Sequence, residues 1–213
     1  MMRAGLAQLI VIQGDLEVCG QAGDVAGALR EIPLTRPDLL ITDLTLPGRN
    51  GLELIKDVIA LHPALPMLVV SMHDELLYAE RVLRAGARGY LMKEAGGEKL
   101  IVAIRQVLSG QIYVSEQMSA KILDVFSGHR PRGSSSPLER LSDREFEVFQ
   151  LVGQGKSTME IAQQLHLSHK TVAVHRGHIK DKLGLKSSTE LVRHAVRWVE
   201  TQNTPGENKP SPV

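Results

Sequence analysis

The chain has 213 residues, a length that suits two domains of ordinary size, each able to build a core. Its formal net charge is +1, so total charge neither indicates nor excludes a nucleic-acid partner. The single cysteine, Cys19, excludes a disulfide framework and a cysteine-based zinc site, and it favours a reducing, cytoplasmic location. No segment approaches transmembrane length, so we expect no membrane partner.

Residues 1–127 alternate short apolar runs with helical patterns, after an amphipathic helix at the start of the chain. Strands are predicted at residues 17–21, 38–42, 67–71 and 89–92, and helices near residues 25–31, 51–61, 75–85 and 98–109. This order is typical of an α/β fold, a doubly wound parallel sheet covered by helices. Because ligands of such sheets bind at the carboxyl ends of the strands, Asp43, Ser71 and Lys93 should converge on one edge.

Three motifs around these residues resemble the receiver domain of two-component signalling. Residues 40–51 (Leu-Ile-Thr-Asp-Leu-Thr-Leu-Pro-Gly-Arg-Asn-Gly) resemble its phosphoacceptor strand and loop. Residues 69–74 (Val-Val-Ser-Met-His-Asp) resemble the strand with the switch hydroxyl, and residues 85–93 (Ala-Gly-Ala-Arg-Gly-Tyr-Leu-Met-Lys) the strand with the active-site lysine.

The resemblance implies a role for each matched residue. Asp43 would accept a phosphoryl group, Ser71 would hydrogen-bond the product and Lys93 would offset its charge. Tyr90 would be the aromatic partner of Ser71 in the phosphate switch, and Mg²⁺ would bind at Asp43 and the carbonyl of Thr45. These residue types suit phosphoryl transfer, since a carboxylate can form an acyl phosphate and cationic and hydroxyl donors stabilise the oxygens of the phosphoryl group.

The chain departs from the receiver pattern at its start. Receiver domains begin with a hydrophobic strand that ends in two acidic residues, whereas this chain begins at the following helix. In the strand order 2-1-3-4-5 the missing strand lies between residues 17–21 and 38–42, so one should be detached and the other should have an unpaired edge. Without the acidic pair, phosphotransfer should be weak. Either the true start lies upstream of Met1, or the domain is a degenerate receiver.

Two segments offer nothing for a core. Residues 128–138 are rich in Gly, Ser and Pro and are predicted to be a linker, and residues 201–213 are predicted to be a disordered tail. Between them, capping boxes at Ser142, Ser157 and Ser187 begin amphipathic segments, and Ser168 is the expected N-cap of a further helix. Residues 139–200 are therefore predicted to be an all-α domain of four helices.

The two central helices of this domain, joined at residues 166–168, predict a helix-turn-helix whose second helix enters the major groove. Val172, Ile179 and Leu183 form the inward stripe of that second helix. The charge is also local, since residues 140–200 carry 10 Lys or Arg against 7 Asp or Glu, whereas residues 1–127 carry 12 against 15. We expect DNA contacts from Lys170, Thr171, Val174, His175, Arg176, His178 and Lys182.

Residues 139–200 also resemble the NarL/LuxR-type DNA-binding domain, through the motifs at residues 141–149, 161–165, 168–172, 175–176 and 182–184. The two resemblances together imply a cytoplasmic response regulator that controls transcription and is not an enzyme. They imply double-stranded DNA and a sensor histidine kinase as partners. The apolar stripe on the last helix further predicts a homodimer on DNA, through Leu191, Val192, Ala195, Val196 and Val199.

Three alternatives remain open. The protein could bind DNA independently of phosphate, with the N-terminal remnant serving to dimerise. It could be a truncated titrating module that pairs with full-length relatives through the last helix. An enzyme that acts on a small phosphorylated molecule through Asp43 is the weakest reading, because no nucleotide-binding glycine loop or second catalytic carboxylate accompanies that residue.

Overall fold

The computed structural model describes residues 2–127 except Gly48, and residues 137–203 except His166. The chain divides after Arg130 into an N-terminal and a C-terminal compact unit. Most of the predicted linker, residues 128–136, and most of the predicted tail, residues 204–213, lie outside the described residues. No helix in the described part combines the length and the apolar character that a membrane span requires.

The N-terminal unit is a parallel sheet covered by helices, which confirms the predicted fold class. Its strands are β1 (Leu40–Thr42), β2 (Met67–Ser71) and β3 (Gly89–Met92), in the order β1-β2-β3. Its helices are α1 (Met2–Val11), α2 (Val25–Thr35), α3 (Gly51–Leu61), α4 (Glu75–Arg84), α5 (Gly97–Leu108) and α6 (Glu116–Phe126), with a 3-10 turn at Lys93–Ala95.

The core on one face of the sheet lies between the strands and α5. Leu68, Val70 and Leu91 from β2 and β3 pack there with Leu100 and Ile104 of α5. Every residue of β2 is buried, whereas only the last of the three residues of β1 is. Burial therefore falls from the middle strand towards β1.

The prediction of a strand at residues 17–21 is wrong, because residues 16–22 form no strand. The strand predicted at residues 38–42 is shorter than expected and begins at Leu40. The physical reason is a lack of pairing among the described residues, since a strand keeps its extended form by pairing its backbone groups with another strand. The expected detachment of one strand and the open edge of β1 are both confirmed in the described residues.

A cleft of about 450 Å³ lies beside the open edge of β1. It is bounded by α1, residues 17–24, α2 and β1, and it extends to Asp43 and Thr45. Arg3 on α1 contacts the carbonyl of Ala22 across one part of its wall. This edge of the sheet is thus flanked by a cleft instead of a paired strand.

The C-terminal unit is a four-helix domain, as predicted, with helices α7 (Asp143–Gly153), α8 (Thr158–Gln164), α9 (His169–Leu183) and α10 (Ser188–Asn203) after a 3-10 turn at Pro137–Arg140. Ser142 and Ser157 form complete capping boxes with Glu145 and Glu160. The third box is only half formed, because the carboxylate of Glu190 accepts from the backbone N–H of Lys186.

The bounds of this unit differ from the predicted ones at both ends. Leu138, placed in the predicted linker, is buried in a 3-10 turn that packs against α9. The last helix continues through Asn203, beyond the predicted boundary at residue 200. The helix α10 also packs closely on α7, because a Cβ on Gly153 would lie 2.4 Å from the carbonyl oxygen of Ala195.

Candidate functional site

Asp43 and Lys93 meet at the carboxyl edge of the sheet. Asp43 directly follows β1 and Lys93 directly follows β3, and Nζ of Lys93 lies 2.5 Å from Oδ2 of Asp43. The two side chains are 13% and 16% exposed, so the pair is largely shielded from water. The backbone N–H of Thr45 donates to the other carboxylate oxygen at 3.2 Å. A charge-assisted contact of this kind orients the carboxylate.

The loop after Asp43 is held close to the start of α3. The backbone N–H of Gly51 donates to the carbonyl of Leu44 at 2.9 Å. A Cβ at residue 51 would lie 2.1 Å from the carbonyl oxygen of Asp43, so only glycine permits this approach. Gly51 therefore helps to set the position of the Asp43 backbone.

His73 links the Asp43 loop to the residues of the expected switch. Its Nε2 lies 3.1 Å from Oγ1 of Thr45, and its ring stacks on Tyr78. Its backbone N–H donates to Oγ of Ser71, and its carbonyl accepts from the hydroxyl of Tyr90 at 2.7 Å. Ser71 and Tyr90 are themselves fully buried.

The environment sets the charge states of this group. Burial lowers the pKa of His73, with Asp43 opposing and Lys93 reinforcing the effect. Burial also raises the pKa of Tyr90, so its hydroxyl keeps its proton and acts as a donor. No functional role was predicted for His73 from the sequence, although it lies within the motif at residues 69–74. Its position two residues after Ser71, in a loop at the carboxyl edge of the sheet, indicated that it could contact the residues around Asp43.

The residues around Asp43 fit magnesium incompletely. No three side chains from His, Cys, Asp or Glu meet there in the described part of the chain. Asp24 caps α2 by accepting from the N–H of Gly27, and Asp15 pairs with Arg105, which lowers the pKa of that carboxyl. Asp43 is thus a single carboxylate already paired with a lysine, whereas Mg²⁺ takes octahedral oxygen coordination.

In the C-terminal unit, α9 presents the predicted polar stripe beside a buried one. Val172 and Ile179 are fully buried and Leu183 is partly buried. Ser168 accepts from the N–H of Thr171 at 3.0 Å, which confirms it as the N-cap. Of the predicted DNA contacts, Lys170, Val174, His178 and Lys182 are exposed, and Thr171, His175 and Arg176 are half-buried.

Several of these side chains already have partners within their own domain. The guanidinium of Arg176 donates to Oγ1 of Thr158 at 3.0 Å, and Lys182 donates to Oε2 of Glu145 at 2.6 Å. Glu145 escaped notice in the sequence because its capping box explained it. His169 is exposed in the first turn of α9, and no DNA contact was predicted for it.

The comparisons with known proteins agree with both domains. The response regulator receiver domain model matches residues 1–105, and the model described as bacterial regulatory proteins of the luxR family matches residues 139–195. The oxygen regulatory protein NreC of Staphylococcus carnosus is 36% identical over 201 residues, which are 92% of this chain and 93% of that protein. The chain belongs to the NarL/LuxR-type response regulators.

Two solved structures share the fold. RcsB of Salmonella typhimurium is 24% identical, with a TM-score of 0.71 over 92% of each chain. A LuxR-family two-component response regulator from Aurantimonas is 30% identical, with a TM-score of 0.55 over 59% of this chain and 90% of that one.

Membership of the family establishes the general activity. The protein is a two-component response regulator that binds DNA through its LuxR-type domain and regulates transcription, and the activity of this family is not enzymatic. DNA and a sensor kinase are the partners that the two domains imply, and receiver domains generally use Mg²⁺ for phosphorylation.

Proposed function

We propose that Asp43 is the phosphoacceptor through which a sensor histidine kinase controls DNA binding by the C-terminal unit. A carboxylate oxygen of Asp43 attacks the phosphorus of a phosphohistidine on the kinase. The new O–P bond forms as the N–P bond breaks, and the imidazole leaves. The contact of 2.5 Å between Lys93 and Asp43 carries this proposal, because it puts a cation beside the oxygens of the product.

Ser71 and Tyr90 form the switch in this proposal. Ser71 exchanges its contact with the N–H of His73 for a phosphoryl oxygen, which also frees the backbone of His73. The hydroxyl of Tyr90 donates to the carbonyl of His73, so a movement of the His73 backbone also changes the position of the Tyr90 ring. The stacking of His73 on Tyr78 extends the path to α4.

Phosphotransfer is weak in the chain as it stands. The proposed magnesium ligands are Asp43 and the carbonyl of Thr45, so the protein supplies a single carboxylate, and that carboxylate is already paired with Lys93. The open edge of β1 and the cleft that extends to Asp43 support this reading. They also favour a second candidate, in which DNA binding is independent of phosphate and the N-terminal unit serves to dimerise.

The DNA-binding surface is the exposed part of α9. Lys170 contacts phosphate, while Val174 and His178, which are 47% and 58% exposed, face the floor of the major groove. Thr171 and His175 lie on the neighbouring stripe. Arg176 and Lys182 add positive charge at its border, where Thr158 and Glu145 hold their side chains.

The last helix forms the dimer interface on DNA. Leu191 and Ala195 are fully buried in their own domain, whereas Val192 is exposed and Val196 is half-buried. Val196→Glu should weaken binding to an operator with two half-sites far more than binding to one half-site, because symmetric pairing applies only to the former. Equal losses on both operators would assign Val196 to the core.

The central experiment compares the chain with its Asp43→Asn variant. Both are treated with acetyl phosphate and Mg²⁺, and phosphate incorporation and promoter binding are measured by gel mobility. We expect slight incorporation in the chain and none in the variant. DNA binding that rises with incorporation supports phosphate control, and equal binding by both proteins supports the second candidate. Absence of DNA binding by either protein would contradict the assignment of α9.

A further inference from the structure

Three potential metal ligands meet at the junction of α7 and α9. They are Glu145 in the first turn of α7, and His175 and His178 on α9. Each offers one ligand atom, and these atoms all lie within 4.8 Å of one another. The two histidines are three residues apart, so they share one face of the helix.

The donors of this group are only partly used. Nδ1 of His175 is buried and has no hydrogen-bond partner among the described residues. Buried polar atoms are bonded in the great majority of cases, so such an atom calls for a ligand. Burial also lowers the pKa of His175, with Glu145 opposing, and a neutral imidazole keeps the lone pair that a metal requires.

The carboxylate of Glu145 is held in place by other groups. Its Oε2 accepts from the N–H of Ser142 at 2.7 Å and from Lys182 at 2.6 Å. Burial would raise the pKa of Glu145, but the hydrogen bonds from Lys182 and Ser142 outweigh it and lower the pKa. Oε1 faces Nδ1 of His178 at 3.6 Å. One oxygen is therefore anchored, and the other is directed towards the histidines.

We propose that Glu145, His175 and His178 bind one divalent transition-metal ion, zinc in the first place, with water completing its coordination. Two imidazole nitrogens and one carboxylate suit Zn²⁺, Ni²⁺ or Cu²⁺, whereas Mg²⁺ and Ca²⁺ prefer oxygen ligands. Ligand atoms of zinc lie about 2.0–2.2 Å from the ion, so the group must contract. His178 is 58% exposed and can turn inwards to do so.

This site goes beyond the proposed function, since neither phosphorylation nor DNA contact requires it. It is also separate from the magnesium site, which belongs to the other unit of the chain. An ion bound there fixes His178, one of the proposed DNA contacts, against α7. Lys182 lies beside the carboxylate, and its charge opposes the ion, so it limits the affinity.

The test uses the full chain without a histidine tag, in millimolar Mg²⁺. Zinc binding is measured by calorimetry. In a parallel titration Co²⁺ replaces zinc, and its visible absorption reports binding at the same site. We expect one equivalent to bind. His178→Ala, His175→Ala and Glu145→Gln should each weaken binding by about tenfold or more, the loss of one of three ligands. Lys182→Met should tighten binding about fivefold, because a nearby like charge is removed.

The matched control is His169→Ala, since His169 is an exposed histidine on the same helix and lies outside the group. This variant should bind zinc as the unaltered chain does. Because His178 is exposed, its replacement should leave the far-ultraviolet circular dichroism unchanged, which separates lost ligation from lost folding. No bound equivalent in the unaltered chain, or equal zinc affinities of the His169 and His178 variants, would overturn the proposal.

Discussion

The two units differ in the sequence distance over which their stabilising contacts form. In the C-terminal unit, Ser142 and Ser157 each begin a helix by bonding a residue three positions ahead. In the N-terminal unit, β1 pairs with a strand that begins at Met67, and Asp43 meets Lys93 fifty residues away. A helix thus contains most of its own hydrogen bonds, whereas a strand depends on a neighbour.

The loss of a single element therefore affects the two units differently. A lost cap weakens one helix by about 1 kcal/mol and leaves the others in place. Residues 17–21 have no strand partner in the described part of the chain, and one edge of β1 is unpaired. The proposed functional residues follow the same division, since Asp43 lies at the end of edge strand β1 and α9 lies within the four-helix unit.

The largest expected effect comes from supplying a strand that can pair with the open edge of β1. Extending the chain before Met1 by an apolar strand that ends in two acidic residues should raise phosphorylation at Asp43 on the order of tenfold or more, because pairing and metal ligands are both supplied. Phosphate-affinity gels measure incorporation, and limited proteolysis measures order in residues 17–21.

The control for this extension is the same strand ending in two asparagines. It should restore resistance to proteolysis and leave phosphorylation low, which separates pairing from metal binding. Efficient phosphorylation of the unextended chain, abolished by Asp43→Asn, would contradict the comparison between the units.

A core substitution tests the completeness of the helical unit. Phe149 is fully buried on α7, and its ring lies 5.7 Å from that of Trp198. Phe149→Ala should lower the free energy of unfolding by about 3–5 kcal/mol. Trp198 is the only tryptophan, so its fluorescence during denaturant unfolding reports on this unit alone. Val192→Ala, at an exposed position of α10, should cost far less, and equal losses would mean that α7 is loosely packed.

The next effect concerns Lys170, an exposed lysine in the first turn of α9. Lys170→Ala should weaken DNA binding about equally for all sequences and lower the salt slope by about one unit for the lost phosphate contact. The control is Lys156→Ala, which removes an exposed lysine near Glu160 on another helix. Titrations of labelled DNA at several salt concentrations measure both quantities. An unchanged slope in the Lys170 variant would remove this residue from the interface.

The smallest effect is a pH dependence in the N-terminal unit. Burial lowers the pKa of His73 in the folded protein, whereas the pKa of an unfolded chain's histidine is about 6.5. The unfolded chain therefore binds more protons below that pH, so the stability supplied by a neutral His73 is full above about pH 6.5 and declines as the pH falls. His73→Gln should flatten the profile of unfolding midpoint between about pH 7 and 5. A profile that stays parallel to that of the unaltered chain would exclude His73 as its cause.

Much of the fold could be predicted because it follows from local patterns. The capping serines predicted the starts of α7 and α8, and the apolar spacing of Val172 and Ile179 predicted the buried stripe of α9. The apolar runs predicted β2 and β3 with their bounds, and the end of each strand indicated where Ser71 and Lys93 lie. These patterns suffice to predict the elements because the periodicity of a helix and the apolar run of a buried strand can each be recognised within a few residues.

The sequence predicted that Asp43 and Lys93 approach each other, but other contacts between distant residues were decided by the tertiary structure alone. His73 joins Thr45 to Tyr90, and Glu145 binds Lys182 and approaches two histidines of α9. Residues 17–21 have a strand-like sequence and form no strand. The reason is the same in each case, since local sequence determines which conformation a segment prefers, whereas a partner elsewhere in the chain determines whether that conformation persists and which side chains meet.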